Sequence, residues 1–262
     1  MLRQAIAAGA VLMMAVSAGA AEPAAVDQLR KTKRCEKCKL AGAKLAGAKL
    51  SSATLTKADL SGADLTRAKL GGAMLYKVNL AKAVLTGAGL QSANLYKADL
   101  RGAMAEGADL SGASLYKAQM SGAKLGGANL STANLYKADL SKAVLAKANL
   151  SEANVTQATL DGADLSGART TETNFYKANL AGTNLTKADM TNAVFYKASL
   201  AKANLTGANL TGANLYKVDL TGANLTDANL KGAELYKPEM KGAILCRTVM
   251  PDDSIDSSGC PK

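Results

Sequence analysis

The sequence predicts an all-β solenoid, a quadrilateral parallel β-helix of about ten four-sided coils. Two nested periods and a composition point to it. Every fifth residue from Leu40 to Leu245 is Leu or a stand-in for it, with no slip of phase. Above that beat, Tyr76, Tyr96, Tyr116, Tyr136, Tyr176, Tyr196, Tyr216 and Tyr236 stand at multiples of twenty, with Thr156 at the one missing step. Of the chain, 48% is hydrophobic but only 4% aromatic, without Trp. The apolar inventory is nearly all Ala and Leu, so any core built from it is repetitive.

The five-residue unit explains the strands. Ala usually stands two residues before each central Leu, and two such residues point to the same side of an extended backbone. Five is odd, so an unbroken strand would send the next Ala-Leu pair to the opposite face. A turn in every unit corrects this, and Gly, Ser, Asn and Asp supply it. A helix fails: five residues advance about 500° at 3.6 residues per turn, which spreads the leucines around the cylinder. The many glycines would also cost a helix roughly 1 kcal/mol each. Four units per tyrosine step make one circuit, and coils stacked about 4.8 Å apart make a rod of roughly 50 Å.

The central position is filled differently at Ala105, Met120, Val155, Thr170, Phe175, Met190, Phe195 and Met240. Phe175 and Phe195 are one coil apart and are expected to stack. Ala105 and Thr170 are the expected weak points, one leaving a void and the other burying a hydroxyl, at about 1–3 kcal/mol each.

The flanks read separately. Residues 1–20 carry Arg3, an apolar run from Ala5 to Val16 and small residues up to Ala20. This is the pattern of a cleaved secretory signal peptide; an uncleaved anchor helix is the alternative. Residues 21–34 form a polar leader or cap with helical character, residues 35–245 the β-helix, and residues 246–262 a C-terminal cap. Export implies a periplasmic or extracellular location and leaves no transmembrane span in the mature chain.

Four cysteines lie in two pairs at opposite ends of the rod. Only local pairing, Cys35 with Cys38 and Cys246 with Cys260, meets disulfide geometry across that length. The second bridge is expected to pin residues 247–259 as a lid over the last coil. A redox or metal-associated role for the Cys35–Cys38 pair is the competing reading. It lacks the thioredoxin-like βαβ context, and Lys39 stands where haem attachment wants His.

Function classes narrow by composition. The formal net charge is +11, and +10 without Arg3. There is no histidine, no phosphate-binding loop and no serine-nucleophile elbow. A non-catalytic scaffold with no metal or cofactor is therefore expected. A basic exported protein suits anionic envelope components, either glycan or lipid head groups, or an acidic protein, and nucleic acid is not expected as its partner.

The candidate binding edge is the tyrosine column with the lysine after each ring: Lys77, Lys97, Lys117, Lys137, Lys177, Lys197, Lys217 and Lys237. Lys57 continues the row, and Thr156-Gln157 interrupts both columns together. One reading is a binding stripe for anions, with ring faces available to sugars. The other is a structural aromatic ladder, each pair contributing about 0.5–1.5 kcal/mol, with the lysines as solubilising guards. Lysines this close repel by about 1 kcal/mol per pair in water. Asp59, Asp99, Asp139, Asp219 and Glu239, two positions on from a lysine, are expected to offset part of that.

Units such as Ala208-Asn209-Leu210-Thr211-Gly212 and Ala63-Asp64-Leu65-Thr66-Arg67 resemble the pentapeptide-repeat proteins. The resemblance covers about four fifths of the chain and implies a right-handed quadrilateral β-helix. The flanks Lys33-Arg34-Cys35-Glu36-Lys37-Cys38 and Ile244-Leu245-Cys246-Arg247-Thr248-Val249-Met250-Pro251 look like those of exported members. Some members of that family mimic DNA with an acidic surface and bind topoisomerases. This basic chain departs from them in sign of charge, so that role is not carried over.

Overall fold

The computed structural model describes residues 21–261. The expected signal peptide falls on residues 1–20, outside the described residues. From Arg34 to Asn229, every fifth residue forms a parallel bridge with the residue twenty positions on. The ladder opens with Arg34↔Thr54, Lys39↔Asp59, Lys44↔Asp64 and Lys49↔Lys69, and closes with Asn229↔Val249. Bridged positions alternate with tight turns, so each side of the coil is a single extended residue between two inward ones. The only strands of more than one residue among the described residues are β1 (Thr248–Val249) and β2 (Ile255–Asp256), an antiparallel hairpin in the tail.

The pentad accounts for all five of its backbone N–H groups, the condition a packed backbone has to meet. From Asp59 to Ala63, Asp59 N–H donates to the Cys38 carbonyl (2.9 Å), Leu60 to Asn79 (2.7 Å), Gly62 to Ala81 (2.9 Å) and Ala63 to Leu60 (3.0 Å). The fifth, Ser61 N–H, donates to the Asp59 carboxylate at 3.0 Å. The recurring Asn or Asp is thus the side chain that caps its own turn. Asn79, Asn129, Asn149, Asn184 and Asn209 extend this by donating to the Asp or Asn one coil below.

The turn requires φ > 0 at its second residue. From Lys37 to Arg247 that position is left-handed in every pentad. Gly fills it most easily because it has no Cβ to clash. Lys, Ser, Thr, Asn, Glu, Gln, Asp or Arg fills it elsewhere, at roughly 1–2 kcal/mol each.

Ala and Leu pairs from all four sides fill the interior, and nearly all are fully buried. Phe175 and Phe195 stack at 4.9 Å with planes 5° apart. Thr170 is buried, but its hydroxyl donates to the Asp189 carbonyl at 3.3 Å. Thr173, Thr183 and Thr248 are buried in the same way, donating to the carbonyls of Leu150, Leu180 and Leu225. The expected penalty at Thr170 is therefore offset by a partner.

The two ends differ. At the first coil, α1 (Pro23–Thr32) begins on a proline, which suits a first helical position, and buries Leu29 against the core. Its surroundings replace the missing preceding coil. Glu22 N–H bonds the Lys39 carbonyl, Arg30 Nη2 the Lys44 carbonyl and Lys33 Nζ the Ser51 carbonyl. An otherwise open sheet edge is thereby blocked. The Cys35–Cys38 disulfide sits beneath this helix, with Cys35 fully buried. At the other end Cys246–Cys260 ties down the hairpin of β1 and β2. Its cover is incomplete, because Leu235, Met240 and Leu245 stay half-buried.

Two measurements follow from this packing. Leu125→Ala, directly above Ala105 in the same column, should lower stability by about 2–5 kcal/mol, and Ala105→Leu should raise it, both read by denaturant unfolding. The carboxylates give an acid limit. Hydrogen bonds from Arg101 hold Asp99 below the usual carboxylate range, and Thr66 does the same for Asp64. Burial works upward at Asp189, but hydrogen bonds from Thr191, Thr171 and Asn209 outweigh it and the net shift is down. Depressed folded values mean stability present above the unfolded pKa of about 3.9 and lost below it. The thermal midpoint should be flat from pH 7 to about 5 and fall below about pH 4, measured by scanning calorimetry.

Candidate functional site: the tyrosine–lysine edge

The eight tyrosines occupy the first position of the turn at one corner of the coil, and the lysines the second. Each lysine backbone is left-handed, and from Lys77 to Lys217 its N–H bonds the carbonyl of the aromatic or threonine residue one coil on, as in Lys77 to Tyr96 at 2.9 Å and Lys137 to Thr156 at 3.0 Å. The edge is therefore fixed by the same ladder as the core. Asn94, Asn134, Asn174 and Asn214 cap Tyr96, Tyr136, Tyr176 and Tyr216 from two residues before.

The rings form two runs of four. Tyr76, Tyr96 and Tyr116 stack at 5.4 and 5.0 Å with planes 10° and 5° apart, and Tyr136 follows at 5.3 Å and 28°. After the break, Tyr176 and Tyr196 stand at 5.3 Å and 28°, Tyr216 and Tyr236 at 5.1 Å and 17°. Tyr196 and Tyr216 meet edge to face at 64°, which opens a shallow cleft of about 330 Å³ lined by Val194, Tyr196, Asn214 and Tyr216.

Two sequence expectations are corrected here. In the stacked pairs each ring face is covered by the next ring, so sugars cannot stack on the tyrosines generally. The exceptions are rings at the ends of a run, where Tyr236 is 51% exposed, and the edge-to-face pair Tyr196–Tyr216 with its cleft. Nor do the acidic residues two positions on neutralise the lysines. The ion pairs among the described residues are Lys39–Glu22, Arg101–Asp99, Lys231–Asp253 and Arg247–Asp227. Asp59, Asp139 and Asp219 accept turn N–H bonds instead, and Asp99 takes Arg101. A carboxylate that caps its own turn faces the next corner, away from the lysine behind it.

Each ammonium sits instead near the preceding ring, 5.0–5.4 Å from its centroid. At an exposed site this contributes about 0.5–1 kcal/mol and leaves the charge facing solvent. Lys37 extends the row by one coil beyond Lys57, a continuation the twenty-residue spacing already carries. The left-handed lysine backbone had no such signal, because Lys is an uncommon choice there. This corner holds no Gly at its second position, from Lys37 to Lys237, whereas Gly recurs at that position on the other three.

The four cysteines are all in disulfides, so the structure presents no free thiol pair at Cys35 and Cys38. Among the described residues no group of three carboxylates or thiols is placed to hold a metal ion. No helix among them is long and apolar enough to cross a membrane.

Comparison with known proteins places this geometry. The pentapeptide-repeat profile matches in eight copies, over residues 34–72, 63–102, 93–131, 128–167, 173–212 and 213–250. Among solved structures, HetL, a pentapeptide repeat protein involved in heterocyst differentiation regulation in the cyanobacterium Nostoc, is 33% identical. The match covers 85% of this chain and 91% of HetL, with a TM-score of 0.58. A pentapeptide repeat protein of the Arabidopsis thaliana thylakoid lumen is 32% identical over 36% of this chain and 65% of its own, with a TM-score of 0.35. QnrB1, a plasmid-mediated fluoroquinolone resistance protein, is 24% identical over 74% of this chain and 88% of its own, at 0.44. No curated protein matches significantly. Members of the profile's family wind as right-handed quadrilateral β-helices and are generally non-enzymatic. A five-residue unit repeated along a twenty-residue ladder, and matched by that profile over most of its length, makes this chain a member of the pentapeptide-repeat family.

Proposed function

We propose that the protein is an exported, non-catalytic scaffold of the cell envelope, about ten coils long and capped at both ends. It binds anionic envelope components, glycan or lipid head groups, along the tyrosine–lysine edge. The observation that supports this is the row of lysines without ion-pair partners among the described residues. From Lys77 to Lys237 they stand at one corner, each over its own tyrosine ring, with Gln157 at the one break, while nearby carboxylates are engaged elsewhere. The row accepts left-handed backbone at a residue type that pays roughly 1–2 kcal/mol for it, on the one corner without Gly. A corner built for stability alone would place Gly or Asn there. Spacing near 4.8 Å per coil presents the charges as a linear array, which suits a polyanion or an anionic surface more than a single small anion. An acidic protein would meet the same array.

Substituting Lys97, Lys117 and Lys137 together by Gln tests this cleanly. Gln157 already occupies the equivalent position with φ +56, so the fold accepts it. Binding to isolated envelope fractions, or to vesicles containing anionic lipid, should weaken at least tenfold and lose much of its salt dependence. Thermal stability should change little. Undiminished binding by the triple variant would remove the lysine edge as the binding surface.

A further inference from the structure

We infer that the break in the aromatic column is a binding slot for one planar aromatic carboxylate, held between Tyr136 and Tyr176. The break is confined to side chains. Lys137 N–H still bonds the Thr156 carbonyl, Gln157 N–H still bonds the Tyr176 carbonyl, and Asn134, Asn154 and Asn174 remain bridged in sequence. The backbone therefore holds Tyr136 and Tyr176 two coils apart, about 10 Å at the spacing of hydrogen-bonded strands.

That distance is twice the native ring spacing of 5.0–5.4 Å within the parallel pairs. A ring inserted midway would stand about 5 Å from each neighbour, within the 4.5–7 Å that stacked aromatic pairs prefer. Both walls present faces that no tyrosine of the chain covers. Both also lean by 28° from the ring behind them, whereas the pairs deep in the first run lie within 10°. Thr156, half-buried and small, forms the floor.

Charge selects the substituent. Lys137 and Lys177 stand at the two walls, each beside its own ring at 5.2 and 5.1 Å. Between them the lysine row changes to Gln157, which is less exposed than the lysines and accepts a hydrogen bond from the Tyr136 hydroxyl at 3.4 Å. Its carbamoyl oxygen is thereby engaged and its NH₂ group remains to donate. Two ammonium groups and an amide donor at the mouth of an aromatic sandwich match a ring bearing a carboxylate. This site shares Lys137 and Lys177 with the polyanion array, but it depends on Thr156 being small and not on the length of the lysine row.

The probe is 4-fluorobenzoate, followed by fluorine NMR with the intact mature protein. Saturable one-to-one binding is expected, with the fluorine signal moved upfield by the ring currents of two flanking tyrosines. Cyclohexanecarboxylate, anionic but not planar, and 4-fluorobenzyl alcohol, planar but neutral, should each compete at least tenfold more weakly than benzoate. Thr156→Tyr completes the column with a residue every neighbouring coil accepts, and should abolish the shift while raising the thermal midpoint. Tyr136→Thr, which removes one wall, provides the same loss of shift if Thr156→Tyr does not fold. Absence of saturable binding at millimolar probe, or binding unchanged in both variants, overturns the inference. Thr156→Tyr fills the slot and keeps every lysine of the row, so failure of the slot and failure of the lysine edge are read separately.

Discussion

Everything in this protein depends on the chain returning above itself after twenty residues. The backbone accomplishes this with a left-handed residue at the second turn position, repeated every five residues from Lys37 to Arg247. That single conformational demand sends each Ala-Leu pair inward and each bridging residue outward. The N–H groups of the bridging residue, of the inward Leu and of the left-handed residue then find partners one coil away. Hydrophobic burial supplies the driving force, but the turn decides that the buried surface becomes a column and not a sheet. Side chains inherit that order. An identical residue at an identical phase stands on its counterpart, so tyrosines stack, phenylalanines stack and asparagines hydrogen-bond along a ladder.

The same order has an electrostatic consequence. A charged residue repeated at one phase becomes a line of like charges, and a solenoid cannot disperse it by folding elsewhere. Where Asn or Asp follows the inward Ala, its side chain is committed to capping the next turn. The carboxylates beside the lysine row are therefore engaged before they can neutralise it. Turn chemistry and surface charge are coupled through one residue position, and the exposed ammonium array results from that coupling.

Much of the fold was legible because periodicity survives any detail of packing. The unbroken phase of Leu40 through Leu245 gave the core, and the tyrosines gave the number of sides. The stacking of Phe175 on Phe195 followed from a difference of twenty. Other features are set by directions in space that spacing does not encode. That Asp99 turns toward Arg101 and not Lys97 depends on which way a capping carboxylate faces. That the ring faces are mutually covered depends on the planes lying across the rod. The sealing of the first coil by Leu29 and Arg30, and the partial cover of Leu235 and Met240 at the far end, are single events outside the repeat. No period announces them.

The central claim is that one residue phase forms one straight edge, with one coil per twenty residues. Pulsed electron resonance between spin labels tests it directly. Labels at Lys97→Cys paired in turn with Lys137→Cys, Lys177→Cys and Lys217→Cys should give mean distances that grow linearly, by about 10 Å for each forty residues. Distances that fail to grow with separation, or that jump as labels move around a circumference, would contradict the account.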